Sequence, residues 1–217
     1  MTKKEVQKRV LKNGELLDLD KFEWDEETNA FSSKEGWLTL DFGDCTYCNF
    51  NTGAGCDFET SSNCNFDTSL FCTFSTGADC AFSTGAYCNF STGFRCNFKT
   101  GTFCTFSTGA DCNFSTGACC KFDISSDCNF RTGSHCIFNT GSNCDFKTGY
   151  NCFFDTLSDC NFKTGSHCIF KINSRCTFKT GEECVIIRRD IFEVIQPKKD
   201  KKIKLNGLGV KGFKIIN

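Results

Sequence analysis

The chain has 217 residues with 25 basic and 26 acidic side chains, a formal net charge of −1, so no global charge draws it to nucleic acid or to a membrane surface. It carries 20 Cys and 26 Phe against a single Pro and a single Met, which suits neither an ordinary globular core nor a disordered chain. No apolar run reaches the roughly 18 residues of a membrane-spanning helix, and Met1 to Leu11 lacks the apolar segment of a secretory signal, so a cytoplasmic, thiol-reducing location is expected rather than a disulfide framework.

In chain order, Thr2 and Glu5 form a capping box, predicting a short helix through Lys12 that Gly14 closes. Phe22–Trp24 and Phe31 flank the acidic turn DEETN and read as a hairpin. Residues 1–39 are therefore expected to be an N-terminal cap of helix plus hairpin. Leu40 and Phe42 already keep the phase of the cysteine repeat downstream.

From Cys48 to Cys184 a cysteine falls on every eighth position, giving 18 units of the form CxFxTGxx. A strict short period is the mark of a solenoid. Cys, Phe and Thr stand at i, i+2 and i+4, which a strand places on one face. The intervening Asn, Ser, Lys, Asp and Arg then face water. Ile124 and Ile172 replace Thr in two units. Gly follows Thr in twelve units and is expected to give the backbone freedom for a corner.

One octapeptide cannot close a coil, but two can. The place before each Cys supports this. Alternate units read Phe71, Tyr87, Phe103, Cys119, His135, Asn151, His167. The others read Asn63, Asp79, Arg95, Asp111, Asp127, Asn143, Asp159, Arg175. Columns that differ at 8 and agree at 16 mean two faces with distinct surroundings. The expectation is an all-β, two-sheet β-solenoid over residues 40–187, with 16 residues (two octapeptides) per coil and about nine coils. Residues 188–217 are expected to be a C-terminal β cap, with strands over Ile186–Ile195, Lys202–Leu205 and Val210–Ile216, because open solenoid ends expose edge strands. Charge is uneven: residues 1–44 hold 7 basic and 11 acidic side chains, residues 188–217 hold 9 and 3.

The opening LKNGELLDLDKFEWDEETNAFSS, the CxFxTG octads and the ending ECVIIRRDIFEVI with KIKLNGLGVKGF resemble octapeptide-repeat proteins of bacteriophages and related mobile elements. The chain is more loosely similar to pentapeptide-repeat solenoids. The resemblance implies a β-solenoid and no assigned activity.

No catalytic triad, paired acids, phosphate loop or HExxH motif is present, so no enzyme, cofactor or metal site is expected. The Cys ladder reads as small buried apolar residues, since a row of thiols does not gather four ligands around one point. Cys45 and Cys119 lie outside the ladder, and Cys119 is the candidate reactive thiol. His135 and His167, two coils apart, are too distant to share a metal.

Two outward columns are candidate interaction surfaces. Ile137, Phe153, Ile169 and Val185 form an apolar stripe, an interface for a homodimer or an unidentified protein, or a surface covered by the C-terminal strands. Lys99, Arg131, Lys147, Lys163 and Lys179, with Ser115 among them, form a basic column, either solvated or in contact with nucleic acid or another polyanion. An ice-binding or metal-binding solenoid is a minor alternative; for ice, the regular Thr points inward or to the corner and so makes no flat outer face. The favoured expectation is a non-catalytic structural or interaction rod.

Overall fold

The computed structural model describes residues 1–216. The chain divides into two compact units, Met1–Thr108 and the residues from Gly109 onward. Each is a two-sheet β-solenoid with 16-residue coils, and the chain has about ten turns in all.

In the first unit, sheet I holds Leu38–Phe42, Asp57–Thr60, Thr73–Ser75, Asn89–Thr92 and Thr105–Thr108. Sheet II holds Ala30–Ser32, Asn49–Thr52, Asn65–Thr68, Ala81–Ser83 and Asn97–Lys99. In the second unit, sheet I holds Lys121–Ile124, Ile137–Thr140, Phe153–Asp155, Ile169–Ile172 and Val185–Arg188. Sheet II holds Asn113–Ser115, Asn129–Arg131, Asp145–Lys147, Asn161–Lys163 and Thr177–Lys179. Within the repeats pairing is parallel and without slip, so Phe82 faces Phe66 and Phe98, and Phe154 faces Phe138 and Phe170. The period-two burial of each strand fixes that register, since a slip of one residue would turn every Phe to water.

The core is a double ladder of phenyl rings. Within a sheet they stack face to face, as Phe138 and Phe154 do at 4.8 Å and 2°. Between sheets they meet edge to face, as Phe138 and Phe146 do at 5.2 Å and 77°. The edge-to-face contacts suit the ring quadrupole and add about 0.5–1.5 kcal/mol per pair beyond burial. All 20 cysteines are free thiols, and the 18 of the ladder are buried. Their Sγ atoms lie within donating distance of turn carbonyls, as Cys80 does of Ala78 and Ser61. Thr132 and Thr148 at the fifth place donate to the carbonyl of the following Gly.

The corners differ from the expectation. The sixth-place glycines of the repeat have no positive φ; the residue before each Cys does, with φ of 60° at Asp79, 59° at Tyr87 and 60° at His167. Its N–H donates to the seventh-place carbonyl one coil later, as Asp79 N does to Phe94 O at 3.0 Å. Glycine serves a different need. A Cβ on Gly101 would lie 2.8 Å from the Ala86 amide nitrogen, so the corner backbones are too close for a side chain.

The caps are shorter and more strand-rich than expected. The capping box is present, but the helix covers only Lys3–Gln7. Val10–Lys12 is a strand, antiparallel both to Leu38–Phe42 and to Glu15–Leu16, and Gly14 turns between the latter pair. The hairpin is Glu23–Asp25 with Ala30–Ser32, whose second strand runs parallel to Asn49–Thr52. In the second unit, the expected strand 186–195 is two, Val185–Arg188 and Glu193–Ile195, antiparallel across a turn. Ile203–Leu205 lies antiparallel on Thr177–Lys179 and carries Phe213–Ile215 outside it. Antiparallel strands of two or three residues thus end the parallel stacking, and so short an edge is a poor template for further strands.

Candidate interaction faces

Sheet I of the second unit carries the apolar stripe. Ile137, Phe153, Ile169 and Val185 are in-register partners on successive strands, so their side chains leave the same face one coil apart. Ile137 is 47% and Ile169 43% exposed; Phe153 and Val185 are half-buried. Lys171 Nζ sits 5.4 Å from the centre of the Phe153 ring. Arg189 bonds the Asp155 carboxylate and the Thr156 carbonyl beside the stripe. The C-terminal strands do not cover it: Glu193–Ile195 and Ile203–Leu205 extend the sheets instead. A strand leaving the last coil finds unpaired backbone groups at the sheet edge, and satisfying these outweighs covering four side chains.

Sheet II of the second unit carries Arg131, Lys147, Lys163 and Lys179 at the fourth place, in register and exposed. The C-terminal strands continue this face. Lys204 pairs with Thr177 and Lys214 with Lys204, and both point outward. Among the described residues none of these six cations is ion-paired by a carboxylate. The one acid among the second-place residues of this sheet, Asp145, accepts a 2.7 Å hydrogen bond from Asn161 Nδ2. Beside Arg131 and Lys147 lies an open groove of about 410 Å³, also lined by Thr116, Thr132, Thr148, Gly133 and Gly149. Lys99 stands on sheet II of the first unit, where its in-register neighbour is Ser83.

Among the other candidates, Cys119 is half-exposed and Cys45 likewise. Burial, with the Asp44 carboxylate beside it, pushes the Cys45 thiol up to about 11. His135 Nε2 meets Asn151 Nδ2 at 3.3 Å, and His167 Nε2 lies 3.0 Å from Glu183. Among the described residues no three His, Cys, Asp or Glu side chains gather into a metal-binding group.

Three features were not read from the sequence. Arg188 occupies the inward fifth place of the last octad and is fully buried. Its guanidinium donates to Asp190 and to the carbonyls of Val210 and Gly207. Phase alone could have found it, because every other fifth place points inward. Second, Lys204 and Lys214 share a face with the Lys column; the basic tail was visible in sequence, its strand register was not. Third, the Phe71, Tyr87, Phe103 column, legible in the sequence as a column, is a stack of rings at 5.1 and 5.0 Å along a corner of the first unit, each 48% exposed. No helix among the described residues is long and apolar enough to cross a membrane. Compared with known protein families, curated proteins and solved structures, the chain matches none.

Proposed function

We propose that this protein is a non-catalytic interaction scaffold that self-associates as a homodimer through sheet I of its second unit. The observation that carries the reading is the uncovered, in-register stripe of Ile137, Phe153, Ile169 and Val185, bordered by Lys171, Asp155 and Arg189. An apolar centre within a polar rim is the anatomy of a protein interface. A rigid sheet loses little conformational freedom on docking, which favours association. A reducing, cytoplasmic location belongs to the same proposal, because 20 thiols stay free there.

Light scattering tests it. The wild type is expected at twice the chain mass of 24.2 kDa, and Phe153→Glu at the chain mass itself. A wild-type monomer at micromolar concentration would overturn self-association. So would a dimer unaffected by Phe153→Glu.

A further inference from the structure

We infer that sheet II of the second unit is a docking surface for the phosphate backbone of double-helical nucleic acid. The inference is independent of self-association, which uses the other sheet.

Arg131, Lys147, Lys163 and Lys179 stand one coil apart on parallel, in-register strands, so they form a straight row with steps of about 4.8 Å. Like charges in register repel one another, and such a row is relieved by water or by a rigid polyanion laid along it. The C-terminal strands add Lys204 and Lys214 to the same face, in the neighbouring column that runs through Asn161 and Thr177, rather than ending it with acids. The outward places of the face therefore hold six cations against Asp145, with Asp159 at the edge, bonded to Arg175 and also near Lys204, although the whole chain is at net −1. Charge this segregated is a local field, which steers a polyanion regardless of net charge.

The remaining chemistry of the face favours a duplex. Beside the cations run Asn129, Asn161 and Thr177, whose neutral amide and hydroxyl groups are the usual partners of phosphate oxygens next to Arg and Lys, with Asp145 the one anion among them. No aromatic side chain stands at the outward places of Asn113–Ser115, Asn129–Arg131, Asp145–Lys147, Asn161–Lys163 or Thr177–Lys179. Single strands are held largely by stacking bases on such rings, so this face has no platform for them. A straight row also suits a partner that stays straight, and a duplex does so over about 50 nm. The contact reads no base sequence, since nothing on a flat sheet enters a groove.

The test is binding of a fluorescent 30-base-pair duplex by anisotropy as NaCl is varied. Neutralising four phosphates gives a slope of log K against log salt near −3.6, about a 150-fold loss between 50 and 200 mM. Lys147→Glu/Lys163→Glu is expected to bring the slope to about −1.8 or abolish binding. Lys4→Glu/Lys34→Glu makes the same charge change in the N-terminal cap and is expected to keep the wild-type slope. Circular dichroism confirms that each variant is folded. Phe153→Glu should bind the duplex with the wild-type slope, which separates this inference from the homodimer. Absence of duplex binding at 50 mM salt would overturn it. So would tighter binding of the single strand, binding of heparin alone, or an equal loss in the Lys4/Lys34 variant. Salt-sensitive self-association that the Lys147/Lys163 change abolishes, without duplex binding, would assign the face to the acidic N-terminal segment of a second copy and overturn it too.

Discussion

A methyl group on Gly93 would lie 2.7 Å from the Ala78 amide nitrogen, inside any real Cβ contact. The close approach of backbones at the corner therefore requires glycine there, not a left-handed conformation. Gly93→Ala is expected to cost about 1–3 kcal/mol, the range of overpacking in a tight site. Gly43→Ala, whose nearest contact would be an ordinary 3.6 Å, should stay within about 0.5 kcal/mol of wild type. Urea denaturation of the two variants checks the contrast, and equal effects would remove the steric account.

Phe146 lies between Phe130 and Phe162 at 4.8 and 4.9 Å and meets Phe138 and Phe154 edge-on at 5.2 Å. It is 3% exposed. Phe146→Ala removes four ring contacts at once from strands that cannot close the gap without losing register. The expected loss is about 3–5 kcal/mol, and a neutral result would mean that the ladder repacks freely.

These corner and core features were unequally visible in sequence. Cys, Phe and Thr at i, i+2 and i+4 dictate the strand and its inward face, and the 16-residue column pattern dictates two sheets. Both follow from side-chain direction alone. The corner needed backbone information. Asn63, Asp79, Asp111, Asp127, Asn143 and Asp159 precede Cys because Asn and Asp tolerate the left-handed region, yet the same conformation is adopted by Phe71 and Arg95, which mask the signal. The helix ran short because the chain at Val10 is needed as an antiparallel partner for Leu40. The stripe and the Lys column were legible as columns. What flanks them, Arg189 in one case and Lys204 in the other, depends on how the tail docks, and local pattern does not encode that.

Cys119 should be the first thiol to react in the folded protein. It is half-exposed, whereas the 18 ladder thiols are buried and Cys45, also half-exposed, is pushed up to about 11. The thiolate is the nucleophile, so raising the pKa slows Cys45. Titration with a chromogenic disulfide at pH 8 is expected to give one fast and one slow equivalent, and all 20 only on denaturation. Many fast equivalents would show an open ladder, and a deficit after denaturation would show oxidised pairs.

Arg9 holds Asp44 in a two-point bond that pulls the carboxyl down from 3.8 to about 2. A lowered folded-state pKa contributes stability above the unfolded value and loses it as pH falls through the folded one. The melting temperature of wild type is therefore expected to exceed that of Asp44→Asn at pH 5, and the gap to close between pH 3.8 and about 2. The pair is exposed, so the gap should be small and shrink with salt. A gap undiminished at pH 2 would mean that Asn disturbs the corner itself.

Arg188 anchors the C-terminal cap from within. Its side chain is 0% and that of Asp190 5% exposed, and the pair shares a bond of 2.6 Å. The guanidinium also donates to the Val210 carbonyl at 2.6 Å and the Gly207 carbonyl at 3.1 Å, so one side chain ties the last octad to the loop between the two final strands. Burial pushes the Asp190 carboxyl up, but the Arg188 bond and the Gly209 N–H together hold it below the ordinary value. Arg188→Met keeps the volume and removes every side-chain donor, leaving a buried carboxylate without its cation, held by the Gly209 N–H, and two carbonyls unmatched. A broken buried pair costs about 3–5 kcal/mol because the remaining charge is uncompensated. The loss should be confined to the cap: trypsin is expected to cut at Lys198–Lys202 far faster in Arg188→Met, while the core from Cys112 to Phe178 resists. Arg188→Met/Asp190→Leu removes the orphaned charge and is expected to restore much of the resistance. Equal cleavage of wild type and Arg188→Met would show that the strands hold the cap without the buried ion pair.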